Sequence, residues 1–128
     1  MSETEKITIN MSAVDLGKVD LLVQEGLFSN RTDFIRTAIR NQLDKHSVEI
    51  QQSVVRHAFG IGMFHYGRAD FEKIKASEKK LVISIIGMLD LSYDITPELA
   101  DEVVESVQVR GIFQASEDVK KVLADRMK

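Results

Sequence analysis

The sequence predicts an α+β protein in two parts. The first is a strand and two helices that need a second copy to complete a core. The second is a small domain of strand–helix repeats with parallel strands, solenoid-like in build. Residues 6–11 alternate polar and apolar side chains ahead of two amphipathic helical stretches. Further on, Gly62-Met63-Phe64, Gly87-Met88-Leu89 and Gly111-Ile112-Phe113 recur at intervals of 25 and 24 residues.

A chain of 128 residues suffices for one or two small domains, and 44% hydrophobic with 29% charged residues is ordinary for a globular protein. No cysteine is present, so disulfides and thiolate metal ligation are excluded and the fold must rest on packing. No apolar run approaches the roughly 20 residues of a membrane span, which leads us to expect a cytoplasmic protein that does not enter membranes. The formal charge of −3 excludes a generally basic coat for nucleic acid. Residues 1–46 carry six basic and seven acidic side chains, so any DNA contact must be local.

Lys6-Ile7-Thr8-Ile9-Asn10-Met11 reads as one short strand. Ser12, three residues before Asp15, signals a helix start ahead of Leu16, Val19, Leu22 and Val23 at helical spacing, and Gly26 supplies the stop. Asn30 and Asp33 offer a second cap, and Phe34, Ile35, Ala38, Ile39 and Leu43 form the apolar stripe of a second helix beginning near Arg31. A unit of this size cannot bury a sufficient core alone, and a lone strand leaves its backbone groups unpaired. Antiparallel pairing with the same strand of a second chain meets both needs, which predicts a homodimer. In that ribbon Ile7, Ile9 and Met11 face the helices, and Lys6, Thr8 and Asn10 share the outer face. A two-stranded ribbon fits the DNA major groove, where Asn can pair with adenine, Lys with guanine, and Thr offers a hydroxyl and a methyl. The positive end of the second helix, near Asn30 and Arg31, suits a phosphate.

The stretch from Lys6 to Leu43 resembles the ribbon-helix-helix family of the MetJ, Arc and CopG repressors, over about the first third of the chain. Its most specific part is Gly26-Leu27-Phe28-Ser29-Asn30-Arg31-Thr32-Asp33-Phe34-Ile35-Arg36-Thr37-Ala38, in the family order of glycine, aromatic, small cap, Arg, hydroxyl, acid, apolar pair, Arg and Ala. The resemblance implies base reading by Lys6, Thr8 and Asn10, and phosphate contact by Ser29, Asn30 and Arg31. Many relatives carry Arg on the outer ribbon face, whereas Thr8 and Asn10 are uncharged, so modest affinity per dimer is expected. Arg36 and Arg40 are read as solvated or intersubunit charges and stay outside the site.

Residues 1–46 are thus expected to form the DNA-binding and dimerisation domain and 47–58 a helical connection, either an extension of the second helix or a separate one. Residues 59–128 are expected to form the repeat domain. Its units read as Phe59 to Tyr66 with Arg68 to Ala76, Leu81 to Leu91 with Pro97 to Val104, and Val107 to Ala115 with Glu117 to Met127. Thr96 followed by Pro97 marks one helix start. The run from Leu81 to Ile86 is too apolar for an exposed edge, so it should be interior or paired. The domain could join dimers into tetramers or longer assemblies, or bind a protein partner or an effector. A rival alignment, Gly26-Leu27-Phe28 with Gly111-Ile112-Phe113, would make the chain end a second strand-helix-helix unit but leaves the Gly62 and Gly87 copies unexplained.

His46, His57 and His65, spaced by 11 and 8, fit no compact metal motif, and no catalytic constellation or phosphate loop is present, so no enzyme, metal or cofactor is expected. The leading function is a sequence-specific DNA-binding regulator or DNA-organising protein. The alternatives are an antitoxin that controls its own operator and a structural oligomer with a vestigial DNA-binding unit.

Overall fold

The structure, a computed structural model, describes residues 3–127. The chain divides into two compact units. One is Lys6–Ser53; the other runs from Val54 onward and takes in the few residues ahead of Lys6.

The first unit holds two helices, α1 (Ala13–Gln24) and α2 (Arg31–Lys45), and most of α3 (Ser47–His57). Ser12 caps α1, its hydroxyl accepting from Asp15 N at 3.1 Å. Gly26 ends it with φ +83, and the Leu27 N–H donates to Leu22 O while the Gly26 N–H donates to Val23 O, both at 3.0 Å. These two bonds satisfy the last carbonyls of the helix. The turn is pinned by an edge-to-face contact of Phe28 on Phe34, ring centroids 5.0 Å apart. Residues 6–11, expected to form a strand, pair with no other strand in the single chain and are not assigned as one. The unit has one buried apolar residue, Val19, while Ile7 and Ile9 are 80% and 57% exposed. So thin a core agrees with the size argument.

The second unit contains β1 (Gly60–Tyr66), α4 (Arg68–Ala76), β2 (Leu81–Leu91), α5 (Pro97–Val103), β3 (Val104–Gln114), α6 (Glu117–Leu123) and a 3₁₀ turn, Ala124–Arg126. The strands form one parallel sheet in the order β1-β2-β3. The apolar run from Leu81 lies in the central strand, which gives both its edges partners. Thr96 caps α5 with Pro97 at its first position, and Ser116 caps α6 in the same way. β3 begins at Val104, three residues earlier than expected, because α5 runs straight into it without a loop.

Alternation along the strands sends Phe64 and Tyr66, Ile83, Ile85, Leu89 and Leu91, and Val107, Val109 and Phe113 to one face. There they pack on Phe71 and Ile74 of α4, Leu99, Ala100 and Val103 of α5, and Val119 and Leu123 of α6. On the other face Ile61, Met63 and Val82 are about 60% exposed, while Met88 and Asp90 are buried.

The repeated glycines stand side by side, Gly62 beside Gly87 and Gly87 beside Gly111. All three have positive φ. A Cβ on Gly87 would lie 2.0 Å from Gly62 O, and one on Gly111 would lie 2.0 Å from Gly87 O. The repeat therefore persists in the sequence at the row where the strands approach too closely for any side chain.

Candidate nucleic-acid interface

Two sets of residues expected to meet DNA stand on two elements of the first unit. Lys6, Thr8 and Asn10 are all exposed, on the extended segment ahead of α1. Ile9 and Met11 of that segment line one apolar groove, of about 490 Å³, with Phe34, Ile35, Ala38, Ile39, Gln42 and Leu43 of α2. Thr8 and Asn10 alternate with Ile9 and Met11 along the chain and do not line that groove. Ile39 and Leu43 are each 54% exposed, so the groove is unfilled in one chain.

At the start of α2 the helix terminus is satisfied reciprocally. Asn30 Oδ1 accepts from Asp33 N at 2.7 Å, and Asp33 Oδ2 accepts from Ser29 N at 2.9 Å. The Asn30 side chain and the Ser29 amide are thus occupied, and of the first-turn donors the amides of Arg31 and Thr32 remain directed out of the helix end. Arg31 makes a bidentate ion pair with Asp20 of α1, Nε to Oδ1 and Nη2 to Oδ2, both 2.8 Å. Both side chains are about half exposed. That hydrogen bond is the main reason the Asp20 carboxyl is held below its usual pKa and the Arg31 guanidinium above its own.

Asp20 was not singled out from the sequence. Asp20 and Arg31 lie at nearly equal distances on either side of Gly26, which is the signal that could have found the pair: in a helix–turn–helix such positions face each other. The Asn30 cap follows the sequence reading, whereas the Asp33 carboxylate's engagement of the Ser29 amide was not anticipated when Ser29 and Asn30 were assigned to phosphate.

Among the described residues no three His, Asp or Glu side chains converge. No described helix is long and apolar enough to cross a membrane.

A segment of alternating polar and apolar residues, two capped helices joined by the glycine–aromatic turn, and an apolar groove left open in the single chain define a class. The model of the Ribbon-Helix-Helix transcriptional regulator family matches residues 2–120, and the chain belongs to that family of DNA-binding transcriptional regulators. The chain is also similar to the transcriptional regulator CdrS of Halobacterium salinarum (strain ATCC 700922 / JCM 11081 / NRC-1), with 33% identity over 43 residues, 34% of this chain and 78% of that protein. The family match extends across most of the repeat unit, whereas the likeness to CdrS covers a third of the chain. No solved structure matches the chain significantly.

Proposed function

We propose that two copies pair residues 6–11 into an antiparallel ribbon, insert it in the major groove, and so act as a sequence-specific transcriptional regulator. The carrying observation is the apolar groove of Ile9, Met11 and the α2 stripe, open along its length in one chain. A second copy of the same groove is a self-complementary filling for it, and the two unpaired strands become each other's partners. Lys6, Thr8 and Asn10 then read base edges, with Asn10 suited to adenine. The α2 N-terminus meets phosphate through the amides of Arg31 and Thr32, flanked by Ser29 and Asn30. Arg31 reaches the phosphate by leaving or sharing Asp20, so its contribution is tempered by that carboxylate.

Residues 59–128 carry the higher-order assembly in this reading. A parallel sheet is ordinarily covered on both faces, and here Ile61 and Val82 stand exposed on the face opposite the helices. Joining dimers there raises the effective concentration of the second dimer at an adjacent half-site. A packed repeat core also favours an assembly surface over an antitoxin tail that orders only on its toxin.

The test is selection of bound sequences from random duplex DNA by the full-length protein. Two-fold related half-sites with a recurrent adenine-containing step are expected. Retention of DNA with no sequence enrichment, or of no DNA, would overturn the reading.

A further inference from the structure

The sheet face opposite the helices carries a buried carboxylate that the apolar core does not explain. Asp90 on β2 is 2% exposed, its Oδ2 accepts from His65 Nδ1 of β1 at 2.7 Å, and its Oδ1 is buried with no partner among the described residues. A buried carboxylate is costly unless it is well paired, and an apolar side chain at this position would be cheaper for packing alone. The His65 side chain, by contrast, is 61% exposed.

The register explains what the carboxylate accomplishes. Met63 lies beside Met88, and His65 beside Asp90, in the next row on the same face. Met63, His65 and Met88 line one cavity of about 360 Å³, with Phe64, Asp90 and Glu3 in its wall. It lies on the sheet face toward the carboxyl ends of β1 and β2. A carboxylate only accepts, so Nδ1 of a neutral His65 carries the proton and Nε2 is left with its lone pair. A carboxylate that orients a histidine through one ring nitrogen and frees the other is the usual support of a metal-ligating histidine.

We infer that Met63 Sδ, Met88 Sδ and His65 Nε2 form a three-coordinate site for a soft monovalent cation, Cu(I), with Asp90 as the positioning residue for His65. Two thioethers and an imidazole are a soft donor set that selects Cu(I) over harder divalent ions. The histidine spacings could not reveal this site, because its other two ligands are methionines and one of them lies on the neighbouring strand. The inference is independent of the DNA-binding reading, and its test involves no DNA.

The full-length protein is titrated anaerobically with Cu(I) against a competing colorimetric chelator, with Ag(I) as a redox-inert check. One tightly held Cu(I) per chain is expected, with sulfur and nitrogen scatterers around the copper in X-ray absorption. Met63→Leu and Met88→Leu are near volume-conserving swaps that keep the fold; each should weaken binding at least about tenfold, as should His65→Gln. Asp90→Asn should weaken it by roughly 10- to 100-fold through the loss of orientation. Should that variant fail to fold, judged by circular dichroism, the two methionine variants still decide the matter. Copper held as tightly by the Met63→Leu, Met88→Leu double variant as by the unaltered chain would overturn the site, and so would Zn(II) displacing the copper from it.

Discussion

Asn10 and Arg31 make different demands on DNA, and single substitutions separate them. Asn10 is exposed and does not line the groove that Ile9 and Met11 enter, and the proposed ribbon puts it on the face toward the bases. Asn10→Ala should therefore cost about 1–3 kcal/mol of specific binding and relax preference at one base pair, with the dimer still folded, as read by competition gel shift. Unchanged affinity and preference would place Asn10 off the reading face. Arg31→Ala should weaken specific and non-specific DNA alike and lower the salt slope by about one for each phosphate left without its arginine. The ion pair adds the converse experiment: Asp20→Asn removes the competing carboxylate, so non-specific affinity should rise and the salt slope steepen by about one per chain, measured by fluorescence anisotropy across a salt series. Weaker binding by that variant would mean that Asp20 positions Arg31 rather than restraining it. The pH sign follows from the depressed Asp20 pKa. Whatever the pair contributes to stability is present above the unfolded carboxyl value and is lost as the pH falls through the lower folded one, so it is intact throughout the neutral range. The caps at Ser12 and Asn30 were legible in the sequence because capping is local. The Asp20–Arg31 pair was not, because it depends on how two helices face across a turn.

At the scale of elements the glycine ladder decides most. Gly87 combines φ +135 with Gly62 O in the space a Cβ would need. Gly87→Ala should destabilise the protein by at least about 1–3 kcal/mol from backbone strain alone, and by more because the neighbouring backbone has to move. Thermal unfolding followed by circular dichroism measures it. A melting temperature equal to that of the unaltered protein would show that the strands can separate at this row at no cost. Gly62 has no such carbonyl on its outer side, only Phe64 at 3.8 Å. Gly62→Ala should therefore cost less than Gly87→Ala, although its φ of +141 keeps it from being neutral. The recurrence of the glycine was visible at once, and so were the three strand–helix units and most of their bounds, since each is a local change from a period of two to one of 3.6. Only the paired strands showed why the recurring residue is glycine.

The whole molecule sets a test of its two units. The first contains the groove that a second copy would fill, and the second contains a closed core of its own. Truncation after His57 should leave a dimer that still recognises a half-site but no longer assembles further, with operator affinity reduced by roughly 10²- to 10⁴-fold as avidity disappears. Light scattering and operator titration on the full-length and truncated proteins would show it. Equal assembly mass and equal affinity would remove the assembly role and leave the repeat unit as a partner or effector domain.

By itself the sequence determined the order of the helices and of the three repeat strands, the helix caps at Ser12, Asn30 and Thr96 and the α2 apolar stripe. Each of these depends on residues within a few positions of one another, and local backbone geometry translates their spacing directly into a face or a terminus. Only the tertiary structure decided that Leu81–Leu91 is the central strand, that the core helices α4, α5 and α6 pack on one sheet face, that Asp20 engages Arg31, and that Met63, His65, Met88 and Asp90 share a cavity. Those relations join residues 11 to 25 positions apart. They follow from strand register and helix packing, which the whole chain settles by burying its apolar surface and which no local pattern encodes.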